Sequence, residues 1–122
     1  MNYWVVGAML DGQDDQLEKF FRRGYWLLLW DEGKQPAQDR RVDQMRPGDR
    51  IAIKKMRSPN IVVRALGVIK EIDHEENEER AYVYVDWFIK DLEREVPGNG
   101  CFASIHGPFT ADDPWVKEVF HI

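Results

Sequence analysis

The stretch MRPGDRIAIKK, residues 45–55, joins a tight turn to a β-strand. Pro47 and Gly48 are typical of turns, because proline presets φ and glycine accepts positive φ. Ile51 and Ile53 alternate with polar or small residues, and this period of two predicts a strand with one buried face. The strand runs into two adjacent lysines, so the same stretch also predicts a basic strand end.

Outward from this stretch, the sequence predicts more short strands and a few helices. The predicted strands cover residues 2–9, 25–30, 61–72, 81–89 and 103–105. The predicted helices cover residues 14–23 and the segment from Pro114 to the C-terminus, with Thr110 and Asp113 as a capping-box-like start, and residues 34–45 are a loop or a short helix. Five or six strands with peripheral helices, and no repeat or linker, predict one α+β domain over residues 1–122, built as a β-barrel.

The composition is that of one soluble globular domain, with 122 residues, 43% hydrophobic and 32% charged. A single cysteine, Cys101, excludes an internal disulfide and indicates a reducing, cytoplasmic setting. We expect Cys101 to be a small buried residue. No apolar run reaches the roughly 18 residues of a membrane span, so no membrane partner is expected.

The charge is unevenly distributed along the chain. The net charge is -5, but residues 34–70 hold ten basic and three acidic residues, which leaves this third at +7 and the remainder at -12. A basic third in an acidic protein predicts contacts with phosphates, or else it merely solvates two strands and a loop. The candidate phosphate-binding residues are Arg40, Arg41, Arg46, Lys55 and Arg57.

Five tryptophans are many for a domain of this size. Trp26 and Trp30 lie four residues apart on one predicted strand, so they face the same side, and Asp31 follows in a polar turn. This arrangement predicts the wall of an open cleft that stacks on a nucleobase, worth ~1–3 kcal/mol per base. Core packing is predicted for the other three, Trp4, Trp87 and Trp115.

Motifs for catalysis, metals and cofactors are missing from the sequence. It contains no Walker loop, GxGxxG, HExxH or CxxC motif, and its three histidines lie far apart. Ser104 and His106 share one face of a predicted strand, and a Ser–His catalytic pair there is less plausible than pocket lining or backbone hydrogen bonding. The sequence therefore predicts a binding protein that is not an enzyme and that needs no metal and no cofactor.

The order and spacing of four segments resemble the EVE domain of the PUA-like superfamily. GYW (24–26) followed by MRPGDRIAIKK (45–55) resembles the M-K-x-G-D-x strand of EVE domains, and ALGVI (65–69) resembles the glycine-bearing strand of the superfamily. YVDWFIKD (84–91) resembles the V-x-W-x-x-x-K-D strand of the related YTH domains. GCFASIHGPF (100–109) is similar to EVE-like N-terminal modules of AAA-type modified-DNA restriction proteins.

The resemblance implies a PUA-like β-barrel that holds a flipped, methylated base in an aromatic cage. Trp26 matches the position that stacks on the base, with Trp30 as a second wall, whereas KKM (54–56) replaces the Y-H-S motif and changes the contacts to the base edge. The implied partners are DNA in preference to RNA, and an AAA-type GTPase or ATPase with a nuclease, for which the chain would be the specificity module of a restriction or defence system. The expected pocket residues are Trp26, Trp30, Asp31, Lys54, Met56, Ser104 and His106.

Three other functions fit the same sequence. The chain could read structured or modified RNA, as many PUA relatives do. It could be an ASCH-like amidohydrolase that acts on a modified nucleoside, for which Lys54 is available but no partner acid is evident. It could also be a protein-interaction domain in which the basic third is incidental.

Overall fold

The computed structural model of the chain describes residues 1–10, 14–28, 36–73, 81–101 and 103–122. Within these ranges the strands are β1 (Tyr3–Gly7), β2 (Met9–Leu10), β3 (Asp14–Asp15), β4 (Tyr25–Trp26), β5 (Arg50–Arg57), β6 (Asn60–Asp73), β7 (Tyr82–Ile89), β8 (Arg94–Pro97) and β9 (Ile105–Phe109). The helices are α1 (Leu17–Arg23), α2 (Pro36–Gln44) and α3 (Pro114–Phe120).

Seven of these strands form one mixed sheet in the neighbour order β4-β7-β6-β5-β1-β9, with β8 paired to β6. β1 and β5 run parallel, and the other pairs are antiparallel. β2 and β3 form a separate two-stranded sheet. This small mixed sheet with a few short helices is compatible with the predicted α+β class. The described strands form an open sheet, with β4 and β9 at its ends.

Asp49 in the turn before β5 fastens that strand to β1. Its side chain is buried, and its two carboxylate oxygens accept hydrogen bonds from Asn2 N, Trp4 Nε1 and Arg46 N, each at 3.0 Å. Three N–H donors satisfy a carboxylate that would otherwise be costly to bury. Gly48 precedes it at φ 92°, a conformation that favours glycine. The turn thus places β5 beside β1.

The sheet separates two hydrophobic cores. Alternate residues of β1 belong to different cores, as expected when successive side chains of a strand point to opposite faces. The first core, packed against α1 and α2, includes Trp4, Val6, Leu17, Phe20, Trp26, Val42, Ile51, Ile53 and Trp87. The second core, covered by α3, includes Tyr3, Val5, Ala52, Cys101, Trp115, Val116, Val119 and Phe120. The predicted core positions of Trp4, Trp87, Trp115 and Cys101 are confirmed.

Several predicted elements have different bounds in the structure. α1 begins at Leu17, because Asp14 and Asp15 pair with β2 as a short strand. The predicted strand at 25–30 is limited to β4 within the described residues. The strand expected at 103–105 begins at Ile105 and continues to Phe109. β8 was not predicted, because its sequence Arg-Glu-Val-Pro shows no clear alternation.

α3 begins one turn later than a cap at Thr110 would place it. Asp113 is the N-cap, and its carboxylate accepts hydrogen bonds from Trp115 N at 2.8 Å and Val116 N at 3.3 Å. Pro114 follows in the first turn, where a missing N–H leaves no bond unmade. Trp115, Val116, Val119 and Phe120 form the buried face of this helix in the second core.

Candidate functional site

Lys54 near the end of β5 is a lysine with only 4% of its side chain exposed. The parallel register places Lys54 beside Gly7 of β1. On the other side of β1, Val5 lies opposite His106 of β9, and Gly7 N donates to Ser104 O at 2.9 Å. Val5 and Gly7 point to the same face of the sheet, because side chains alternate along a strand. Lys54 and His106 therefore lie on one face, on either side of β1.

Gly7 leaves a gap on that face. A Cβ built on Gly7 would meet, among the described residues, one atom within 4 Å, Ser104 O at 3.9 Å. Two other glycines are tightly packed by comparison, since a Cβ on Gly107 would lie 2.6 Å from Trp4 Cε3 and one on Gly67 would overlap Val85. A glycine within a strand often marks a place where a ligand approaches the backbone. We call the space over Gly7 the Gly7 recess.

α2 holds the strand that carries His106. Gln38 Oε1 accepts a hydrogen bond from Ile105 N at 2.8 Å, and Arg41 Nη1 donates to Ile105 O at 2.9 Å. Both main-chain groups of Ile105 are therefore occupied by side chains from one helix. This clamp also brings the Arg41 charge close enough to lower the pKa of His106.

His106 is a neutral hydrogen-bond donor at pH 7. Burial, together with the positive charges on Lys54 and Arg41, lowers the pKa of its imidazole from 6.5 to about 4. Its Nε2 accepts the N–H of Ala103 at 2.9 Å. A neutral imidazole has one acceptor nitrogen and one N–H, so this hydrogen bond assigns the proton to Nδ1.

Lys54 has little compensation for its burial. Desolvation lowers the pKa of its ammonium from 10.5 to about 8, with an opposing contribution from Cys101. Its hydrogen-bond partner within the described residues is the thioether of Met56, with Nζ 3.8 Å from Sδ, and sulfur is a weak acceptor. Burial also raises the pKa of the Cys101 thiol, which keeps the thiol neutral at pH 7.

Lys54, Arg41 and His106 form what we call the Lys54 cluster. Across the described ranges, no carboxylate forms an ion pair or a hydrogen bond with any of the three. Two cations therefore lie close enough to His106 to act on it electrostatically, without a matching anion from the described residues. The register of β1 and β5 places the Gly7 recess next to Lys54. Such a site favours a ligand that supplies acceptor atoms or negative charge.

Trp26 has a different position from the expected pocket wall. Its side chain is 1% exposed and packs in the first core. Its Nε1 donates to Gly7 O at 2.8 Å. As placed, the indole has no open face for a base to stack on, and it holds the backbone under the Gly7 recess instead. Trp30 and Asp31, the other two expected wall residues, lie outside the described residues.

The remaining predicted site residues lie at or near the surface. Met56 is 44% exposed, and Ser104 is half-buried. Arg57 forms an exposed ion pair with Glu95 at 3.2 Å. Four of the five predicted phosphate-binding residues are exposed, and Arg41 is half-buried: the exposed ones are Arg40, Arg46, Lys55 and Arg57.

Sequence reasoning missed two residues of this site. Gly7 interrupts the strand YWVV, and this break was a usable signal for a close approach to the backbone. Gln38 lies in a polar segment with weak periodicity, and nothing local shows that it is buried or that it binds β9.

A second concavity, of about 410 Å³, lies between α1 and the segment that follows β7. It has charges of both signs, and Arg64 on its wall is paired with Asp15 at 2.6 Å. It contains no member of the Lys54 cluster. Its lining residues are Leu17, Glu18, Phe21, Arg64, Lys90, Asp91, Leu92 and Glu93.

No family model matches the chain, and neither a curated protein nor a solved structure matches it. Among the described residues, no group of three His, Cys, Asp or Glu side chains could hold a metal ion. None of the described helices combines the length and apolar character needed to cross a membrane.

Proposed function

We propose that this chain is a nucleic-acid-binding module that holds a flipped, modified DNA base at the Lys54 cluster and does not transform it. The observation that carries the proposal is the burial of Lys54, a residue that is 4% exposed and whose ammonium has a thioether as its partner within the described residues. Leaving a charged group buried without a strong partner is unfavourable. A base edge with acceptor atoms supplies the missing partner.

The proposal also assigns the exposed basic residues to the binding of DNA phosphates. Lys55 and Arg57 follow Lys54 in the exposed end of β5 but point to the opposite face of the strand, so they would contact phosphates at the strand end and not within the base site. The ion pair between Arg57 and Glu95 is exposed on both sides, and such pairs contribute little to stability. Arg57 can therefore exchange its carboxylate for a phosphate at small cost.

The proposal also includes a fold family for the chain. We assign the chain to the PUA-like barrels of the EVE type, which would make it the specificity module of a restriction or defence system with an AAA-type motor. Three register shifts support the curvature that a barrel needs, at Ile53/Lys54, Leu66/Gly67 and Ile69/Glu71. β-bulges bend strands and increase twist.

The aromatic cage expected around a methyl group receives no support from Trp26, which is buried. The Lys54 cluster offers hydrogen-bond donors, so the proposal concerns a modified base without specifying a methyl group. Trp30 stays a predicted stacking partner.

The test compares duplexes that differ at one central base. Fluorescence anisotropy would measure the affinity for duplexes with a modified or a plain base and for RNA of the same sequence, and 2-aminopurine at the central position would report flipping. We expect tighter binding to the modified DNA and a rise in 2-aminopurine emission, because an unstacked base is less quenched. Equal weak affinity for all of them, or preference for RNA, would contradict the proposal. Conversion of the base during incubation, followed by mass spectrometry, would favour the amidohydrolase instead.

A further inference from the structure

The Gly7 recess and the Lys54 cluster together limit the size and the charge of the substituent that the bound base can carry. Gly7 and Lys54 are neighbours across the parallel pair of β1 and β5, and His106 stands on the other side of β1. A Cβ on Gly7 would meet one described atom, at 3.9 Å. The recess can therefore take a small group that lies against the backbone between the two side chains.

The side chains of the neighbouring Lys54 cluster carry hydrogen-bond donors, whereas the one described atom within 4 Å of a Gly7 Cβ, Ser104 O, is an acceptor that already takes the Gly7 N–H at 2.9 Å. Lys54 presents an ammonium, and His106 presents its Nδ1–H because its Nε2 is bound to Ala103 N. Arg41 adds a guanidinium of which one nitrogen is held by Ile105 O at 2.9 Å. These three side chains offer N–H donors to an oxygen atom of a base, and the one ring nitrogen among them that can accept, His106 Nε2, is already bonded to Ala103 N.

A negatively charged group on the ligand is the best electrostatic match for the donors of Lys54, His106 and Arg41. Charge-assisted hydrogen bonds are about twice as strong as neutral ones. The nine-tenths buried Lys54 lacks a carboxylate partner within the described ranges, so an anionic oxygen would complete an ion pair that those residues leave incomplete.

We propose that the modification read at this site is an anionic oxygen group, a carboxylate on a pyrimidine base, which lies in the Gly7 recess against the Lys54 ammonium. The inference rests on the proposed function for the flipped base that carries this group. It adds the chemistry of the substituent and names Gly7 as a specificity-determining residue.

The test uses two duplexes that differ only in the 5-substituent of one central cytosine, carboxyl in one and methyl in the other. Anisotropy at pH 7 would give the ratio of the two affinities. We expect the carboxyl duplex to bind about tenfold more tightly or better, in line with a hydrogen bond to a charged group. Lys54→Met should reduce the ratio to about one, since it removes the charge and keeps the length of the side chain.

Lys55→Met is the matched control, because it removes the same charge from the exposed neighbouring residue. It should weaken binding to both duplexes alike and leave their ratio unchanged. Gly7→Ala should also abolish the preference, since its methyl group fills the recess while making ordinary contacts with the described residues. Thermal unfolding of each variant would show that it is folded.

The outcomes separate the two proposals. No binding to any duplex overturns the proposed function and this inference with it. Binding to both duplexes with equal affinity overturns the inference alone, and so does a carboxyl preference that persists in Lys54→Met.

Discussion

A lysine loses most of its hydration when it is buried, and the Lys54 ammonium regains little of it from the described residues. Its neighbours include the Met56 thioether, the Cys101 thiol and the His106 imidazole. Residues in such unfavourable surroundings are often kept for a ligand, because perturbed ionisable groups concentrate at functional sites. We therefore expect the burial of Lys54 to lower the stability of the free protein.

Lys54→Met should stabilise the free protein at neutral pH. The folded-state pKa of Lys54, about 8, lies below its ordinary value of 10.5. The wild type should therefore gain stability as pH rises from about 8 to about 10.5, since the unfolded chain binds more protons there. The advantage of Lys54→Met should be largest below pH 8 and should shrink over this range. Urea unfolding at a series of pH values measures it, and an advantage that does not change with pH would contradict the burial of a charged Lys54.

His106 leads to a prediction about the stability of the protein at acidic pH. Its folded-state pKa is lowered from 6.5 to about 4, so the protein should lose stability as pH falls through this window. His106→Gln should remove that part of the acid sensitivity, because glutamine retains an acceptor for Ala103 N–H and does not titrate. His121→Gln, at an exposed histidine, is the control. Identical acid unfolding profiles for His106→Gln and the wild type would show that His106 is not held neutral.

At the scale of elements, the turn and the strands around residues 45–73 were the most predictable part of the fold. The alternation of Ile51 and Ile53 gave β5, and the turn residues gave its start. The partners of Asp49 could not be predicted, since Asn2 and Trp4 are more than 40 positions away in sequence. β8 was missed because pairing with β6, and not a local pattern, makes it a strand.

Gly67 in β6 leads to a prediction about how tightly β6 and β7 pack. A Cβ on Gly67 would overlap Val85 Cγ1 and lie 2.8 Å from Trp87 Cε3. Gly67→Ala should therefore lower the free energy of unfolding by about 1–3 kcal/mol, the usual cost of overpacking a core. Gly7→Ala is the matched variant, and it should leave the stability nearly unchanged because its nearest described neighbour is 3.9 Å away. Chemical denaturation of both variants checks the contrast, and equal destabilisation would show that the Gly7 recess is not open.

At the scale of the whole molecule, the sequence predicted some residues of the site but not how they meet. Lys54 and His106 were both expected in the pocket, and Arg41 was expected as a phosphate contact. The sheet brings Lys54 and His106 together because β5 and β9 flank β1, and this neighbour order depends on pairings between distant segments. Arg41 comes from α2, which binds β9 at Ile105 O. Trp26 was expected on a wall, since a tryptophan at a strand end looks the same in sequence whether it is exposed or buried.

The uneven charge gives a prediction for the molecule as a whole. Lys55→Ala should weaken binding to plain and modified DNA by a similar factor, because a phosphate contact carries no sequence information. It should also reduce the slope of log affinity against log salt concentration by about one. Anisotropy over a range of salt concentrations measures this slope. A slope that stays at the wild-type value would remove Lys55 from the phosphate-binding surface.

A crystal structure of the chain bound to a duplex with one 5-carboxylcytosine would show whether Lys54 holds a flipped base. We expect this base to lie outside the stack, with a carboxylate oxygen over Gly7 and within about 3.2 Å of Lys54 Nζ. A duplex with every base stacked, or a flipped base held in the concavity beside α1, would contradict it.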